Sequence, residues 1–383
     1  MKISPAGFLF FVAFLLSTSI VFAKEITVCS SGCAFGSIQA AVDKSFPGDT
    51  ILVSGVITES GILISKNITI RGFGQTATVI QAHADRGAAR HRVFYINGGA
   101  VVVIEQLTIR NGKERADPTA WNGSGGGILI DGSSTSVNLK YVTIKHCDND
   151  LSDGGGITLG GNDTSLDLDN CVFENNVADN GSGGALYLSA RTGDCLVRNT
   201  AFKANIAANG NGGAAVVGDR VSVAFISCSF TGNQALNGKN GGGVYSVVAV
   251  PTFNNCQFSY NKAEQGGGAL HIVGANIANC VFLFNTAVNG GAISRGTTPL
   301  KNELSLLNCT LLNNSATGFA PAGAGLHDGF PASGLIHLVG NTIENSTSGI
   351  DLYLYAPSSL STNQKNKVGQ AQFATGSARF ASN

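Results

Sequence analysis

The chain has one methionine and eight prolines in 383 residues, and only 13% of its residues are charged. That charge density is about half the usual share. Lys plus Arg equal Asp plus Glu at 24 each, so no net field draws the chain to nucleic acid or to an anionic membrane. Nucleic-acid binding is therefore excluded. Past the first residues no segment reaches ~20 consecutive apolar positions, which excludes a spanning helix. No stretch shows ten or more residues of helical periodicity, which excludes helical solenoids and leucine-rich repeats. What the chain does have is 51 glycines and many asparagines. That composition suits short strands joined by tight turns.

The first residues stand apart. Lys2 precedes an apolar run from Phe8 to Leu16, and Val21-Phe22-Ala23 ends in a small residue before Lys24. This pattern reads as a cleaved secretory signal over residues 1–23, so the mature protein is expected to be soluble and exported.

One sentence is rewritten along the rest of the chain. "NCVFENN" from Asn170 returns as "SCSFTGN", "NCQFSYN" and "NCVFLFN". Its apolar marker residue falls at Ile70, Ile109, Ile144, Phe173, Phe202, Phe230, Phe258, Phe282, Leu311 and Ile343, with central steps of 24 to 29 residues. Gly-Gly pairs keep the same beat from 126–127 to 290–291. A period of 20–50 residues means stacked units. Each unit is too short for a propeller blade and holds only short β-prone runs. The expected fold is all-β, a single right-handed parallel β-helix of about ten coils, with like positions stacked ~4.8 Å apart. Cys171 and Phe173, two apart, face the dry interior. Asn176, Asn205, Asn233, Asn261, Asn285 and Asn314 should form a hydrogen-bonded corner ladder. The Gly pairs should form a second corner where positive φ and close approach exclude a Cβ.

Phe-x-x-Asn, as in Phe173–Asn176, and Gly-Gly-Ala-[Ile/Leu], as at 183–186, 267–270 and 290–293, resemble the passenger repeats of chlamydial polymorphic membrane proteins. "FGSIQAAVDKSFPGDTILV" from Phe35 is similar to the cap and first strand of pectin-lyase-like β-helix proteins. The resemblance implies a secreted, passenger-like rod. No membrane-barrel strands follow the repeats, so it does not imply an autotransporter. The expected domains are the rod with its N-terminal cap over 24–350 and a last partial coil with a polar tail over 351–383. Residues 38–46 suit a short capping helix, since open sheet edges otherwise invite aggregation.

Cys29 and Cys33 are close together in an exported chain, which favours a local disulfide; zinc is the rival and lacks a second ligand pair. Cys171, Cys228, Cys256, Cys280 and Cys309 should form an inward thiol column, interrupted by Thr200, and not a metal site.

Function is less legible. One position past the marker lie Arg71, Arg110 and Lys145, a basic row on early coils. The irregular stretches beside it add charge, including Arg86, Arg92, Glu114 and Asp153, and Trp121 or Tyr141 could serve as a sugar platform. His146, Asp148 and Asp150 are the weak catalytic candidates. His271 is expected at the surface, between Ser246 and Ser294. Three functions stay open: a monomeric adhesin or carbohydrate-binding rod for an acidic polysaccharide or host-surface glycan, a polysaccharide lyase or epimerase acting on uronic-acid polymers, and a structural surface component. No cofactor is expected, except Ca²⁺ in the lyase case.

Overall fold

A computed structural model describes residues 23–373 apart from 116–122, 190–192, 220, 247, 297–301, 319–321, 330–334, 345–349, 355–359 and 365. The signal segment and Trp121 lie outside the described residues. Among those residues, no helix is long and apolar enough to cross a membrane.

One coil shows how sequence becomes shape. Ser165–Asp169 is a strand in which Leu166 and Leu168 point inward while Asp167 and Asp169 point out. Asn170, at φ 54°, bends the chain, and Val172–Glu174 continues in the same sheet. Asn175, also at φ 54°, turns the corner into the two-residue strand Val177–Ala178. A glycine turn follows, and Leu186–Leu188 forms the third side. Repetition of this path builds a large sheet with two strands per coil, a twelve-stranded sheet and an eight-stranded one. Every pairing is to the next coil and parallel, for example Phe173 opposite Phe202 and Leu186 opposite Ala215. The fold is a parallel β-helix. Its last described strand, Ala371–Phe373, carries the stacking past residue 350.

The interior is a set of columns. Phe173, Phe202, Phe230, Phe258 and Phe282 stack with ring centroids 5.0, 4.7, 4.7 and 4.7 Å apart. Phe225 and Phe253 form a second stack whose rings meet the first edge-on. Each fully buried ring is worth about 1.5–3 kcal/mol by area, and aromatic pairing adds about 0.5–1.5 kcal/mol per contact. This column adds to the backbone ladders in holding together the coils from Phe173 to Phe282.

The asparagine ladder is present from Asn176 to Asn314, and every member is fully buried. The amide of Asn205 donates to Asn233 Oδ1 at 2.9 Å and to the carbonyl of Phe173 at 3.0 Å. Cys147 occupies the same column one coil earlier and donates its backbone N–H to Asn176 Oδ1. In the thiol column all five cysteines are buried, and Thr200 joins the column by accepting from the Cys171 N–H. Asn341 extends it, accepting the Cys309 N–H at 2.8 Å.

The glycine corner resolves into three columns, and the expectation of positive φ holds for only the first. Gly154, Gly183, Gly212 and Gly241 have φ of 68–73°. At the next residue φ is negative and space is the constraint: a Cβ on Gly184 would lie 2.3 Å from the carbonyl oxygen of Gly213. The third column mixes Gly and Ala, so Gly243 stands in line with Ala214 and Ala269 and does not carry positive φ.

At the first end, the helix Ile38–Lys44 buries Ile38, Ala41 and Val42. It stops two residues short of Phe46, because Ser45 caps it and Phe46 faces solvent. The Glu59 carboxylate accepts from the backbone N–H groups of Ile38 and Gln39, pinning the helix to the second coil. Beside it Cys29 and Cys33 form the expected disulfide.

Candidate functional site

The basic row does not assemble as its spacing suggests. Ile70 lies on the first half of the large sheet, opposite Ile51 and Ile104, so Arg71 stands opposite Glu105 and forms an ion pair with it. Arg110 is opposite Gln81 and Lys145, and its Nε donates to Gln81 Oε1 at 2.8 Å. Arg110 and Lys145 thus stand side by side as expected, but Glu174 and Lys203 follow, so the row is mixed in sign. Tyr141 sits at a bend (φ 54°) and is half exposed, one strand half away from Lys145.

His146, Asp148 and Asp150 come together at the corner leading into the eight-stranded sheet. Arg86 spans from the neighbouring insertion to Asp148 at 2.9 Å and to the carbonyl of Asn175 at 3.1 Å. Lys113 meets Asp150 at 2.9 Å, with Arg115 on its other oxygen at 3.8 Å. Partial burial, then the nearby Arg86 and Lys145 charges, hold His146 below the usual imidazole range. Burial first, then Asp150, raises the neighbouring Asp179. Acid and base here neutralise each other.

Two further insertion charges are not at the surface at all. Arg92 and Glu114 pair inside the rod at 3.1 Å, both almost fully buried, and Arg92 Nε also donates to the Gly125 carbonyl. Arg295 and Asp328 make a second interior pair near the far end. His271 lies on the outward, part-exposed side of its strand, as expected, but its neighbours are Tyr245 and Ser294 and not Ser246; it stacks on Tyr245 at 5.4 Å, and burial pushes it down to about 4.

Among the described residues, a concave site lies instead on the outer face of the twelve-stranded sheet. A cleft of about 290 Å³ is lined by Ser124, Leu129, Asp131, Asp153, Thr158, Gly160, Gly161, Tyr187 and Ser189. Stacking explains its shape. Leu129, Thr158 and Tyr187 are one outward column across three coils. The residues just past those strands are Asp131, Gly160 and Ser189, and the missing side chain at Gly160 leaves a dent between a carboxylate and a hydroxyl. The far wall comes from a turn built by Asn149, whose Oδ1 accepts the N–H groups of Leu151 and Ser152 at 3.0 Å while its amide donates to the Asp153 carbonyl. That turn delivers the Asp153 side chain. It accepts from the Ser182 N–H at 2.8 Å and from the Tyr187 hydroxyl. Burial raises the Asp153 carboxyl, and burial together with Asp153 raises the Tyr187 phenol. Thr158 Oγ1 donates to the Asp153 carbonyl at 2.7 Å, and Ser124 and Ser152 hydroxyls meet at 3.1 Å. The cleft thus offers two carboxylates, four hydroxyls, an aromatic face and an apolar floor, with no cation among its lining residues.

This fold defines a class, the right-handed parallel β-helix of pectin-lyase-like type. The catalytic domain of a GH87 alpha-1,3-glucanase, solved in complex with nigerose, is similar at a TM-score of 0.52 and 13% identity, over 90% of this chain and 69% of that one. ORF18 of Geobacillus virus E2 is similar at 0.48 and 16% identity, over 82% of this chain; this chain spans 58% of that protein. A pectin methylesterase solved with a hexasaccharide gives 0.39 and 12%, over 86% and 91%. Within the class, the repeat of Chlamydia polymorphic membrane proteins is matched at residues 170–189 and 227–247. No curated protein sequence matches the chain.

Proposed function

We propose that the protein is an exported glycan-binding rod of the cell surface, in which the cleft around Asp153 and Tyr187 holds a neutral sugar chain. The observation that carries this reading is the lining itself. Carboxylates and hydroxyls on a partly apolar, concave surface suit the hydroxyl groups and C–H faces of a sugar. A polyuronate would meet carboxylates with no nearby cation to offset them. Of the basic groups once suited to an acidic polymer, Arg71, Arg110, Arg86 and Lys113 are engaged with Glu105, Gln81, Asp148 and Asp150, and Lys145 stands opposite Glu174. The same engagement speaks against a lyase, whose chemistry needs cationic groups available to a substrate carboxylate. The rod begins after a signal at 1–23, runs as a monomer, and continues past residue 350 to the strand Ala371–Phe373.

Titration calorimetry of neutral hexaoses, polygalacturonate and alginate tests the proposal. A neutral hexaose should bind, and Asp153→Asn and Tyr187→Phe should each weaken it about tenfold or more. Tighter binding of the polyuronates, or appearance of unsaturated or shortened products, would overturn it.

A further inference from the structure

One corner column carries two residues that do not suit their backbone. Its members are Asn111, His146, Asn175, Ala204, Gly232, Tyr260, Phe284 and Asn313, with φ of 57°, 54°, 54°, 51°, 67°, 56°, 56° and 55°. Asn and Gly adopt this left-handed geometry at little cost, whereas a bulky aromatic there is an outlier. Two such outliers stand on adjacent coils. Strain of this kind persists where the surrounding structure imposes it, and it concentrates at ligand sites.

The two side chains are not hidden in the core. Tyr260 is 61% and Phe284 44% exposed, although most large apolar residues of the chain are buried. Their rings are parallel within 10° with centroids 5.1 Å apart, one coil step. Ring faces therefore look along the rod. Phe284 has Tyr260 on one face and the Asn313 coil on the other. The opposite face of Tyr260 looks toward Gly232, which has no side chain, and a Cβ built there meets no atom within 4 Å. The result is a step one coil deep with an aromatic floor.

Its rim is polar. The Thr231 and Ser259 hydroxyls, 3.1 Å apart, run along one side, with Lys203 next in the same row. Gln234 and Lys262 run along the other, past the corner. An aromatic floor with hydroxyl, amide and ammonium groups at its edges matches a ring that is apolar on its face and polar around its circumference. A pyranose has that form, since its axial C–H groups meet the negative face of an aromatic ring.

We propose that Tyr260, backed by Phe284, is a second glycan site, with one pyranose seated on the open face of Tyr260 in the space left by Gly232. It lies on a different side of the rod from the Asp153 cleft and shares with that reading only the class of ligand, so separate variants test the two.

The test uses the full chain with protonated Tyr and Phe in a deuterated background, titrated with cellohexaose and with laminarihexaose. Ring-proton shifts of Tyr260 and Phe284 are expected with at least one hexaose. They should persist in Asp153→Asn, which isolates this site from the cleft. Gly232→Asn keeps a residue the column already accepts, fills the step, and should abolish the shifts without lowering the melting temperature. Tyr260→Ala should weaken binding at this site at least tenfold. The proposal is overturned if neither hexaose moves the rings, or if the shifts survive Gly232→Asn. It is equally overturned if sedimentation shows a self-association that Tyr260→Ala removes, for the surface then belongs to a second copy of the chain.

Discussion

The side-chain oxygen of Asn233 accepts both N–H groups of Asn205, backbone at 3.0 Å and amide at 2.9 Å. Its own amide donates to Asn261 Oδ1 at 2.9 Å and to the Phe202 carbonyl at 3.0 Å. All four bonds are buried, so removal of the amide leaves donors and acceptors on the two flanking coils short of partners. Asn233→Ala should cost about 2–4 kcal/mol in urea unfolding. An exposed asparagine within a strand, such as Asn276, serves as the control, with a loss below about 1 kcal/mol. Equal losses at the two positions would remove the ladder from the account of stability.

Gly242 and Gly243 should differ although they are neighbours. A Cβ on Gly242 would sit 2.3 Å from the Gly268 carbonyl oxygen, against backbone that cannot move without its coil. A Cβ on Gly243 would crowd one backbone atom, the Ala269 carbonyl oxygen at 2.6 Å, in a column where other coils already carry Ala214 and Ala269, whereas Gly242 meets backbone on two sides. Gly242→Ala should therefore cost about 2 kcal/mol or more, and Gly243→Ala less, about 1–2 kcal/mol. Thermal melts of the pair decide it.

Acid should weaken the rod through His271 and His327. Burial pushes both imidazoles down to about 4, with His327 adding to the effect at His271. The Nδ1 atoms of both are buried without a hydrogen-bond partner among the described residues. The folded state keeps them neutral while the unfolded chain protonates near pH 6.5, so the unfolded state binds more protons between pH 6.5 and 4. Stability falls as pH drops through that window, by on the order of 3 kcal/mol for the well-buried His327. Asp153 and Asp179, raised by burial, act in the opposite sense. Comparison of wild type with His327→Phe, which keeps the stack on Tyr353, isolates the imidazole. A variant with the same melting-temperature profile from pH 7 to 4.5 would count against the assignment.

Seven thiols should stay silent in the native protein. Cys147, Cys171, Cys195, Cys228, Cys256, Cys280 and Cys309 are all buried and unpaired by disulfide. Burial pushes Cys147, Cys171 and Cys195 up to about 12, far from the reactive thiolate. Alkylation without reductant should label none in buffer and seven in denaturant. Fewer than seven would mean cross-links within the column.

The fold was readable because each structural position is stated many times. Phe202 and Asn205 gain meaning from five coils that repeat them, and one error in spacing is corrected by the rest. Charged residues have no such redundancy. Arg71 was aligned through Ile70, which belongs to the other half of its sheet, because the early coils carry insertions that break the count. Arg92 and Glu114 look like surface charges in an irregular loop, and only tertiary placement shows that each buries the other. The cleft could have been found. Asp131, Gly160 and Ser189 are evenly spaced, as are Leu129, Thr158 and Tyr187, and a Gly between Asp and Ser marks a dent once the coils are aligned.

The ladder also separates pitch from length. Asn261 and Asn285 are 24 residues apart and bond at 2.9 Å, the same distance as Asn285 and Asn314, which are 29 apart. Five residues can thus leave one lap of the chain without disturbing the step to the next. The difference is absorbed in the turns, where Val244 and Leu270 are paired at a separation of 26 and Thr252 and Asn276 at 24. Such a scaffold tolerates edits along its turns while its corners hold count. New recognition loops could be spliced into any lap, and the neighbouring laps would not register the change.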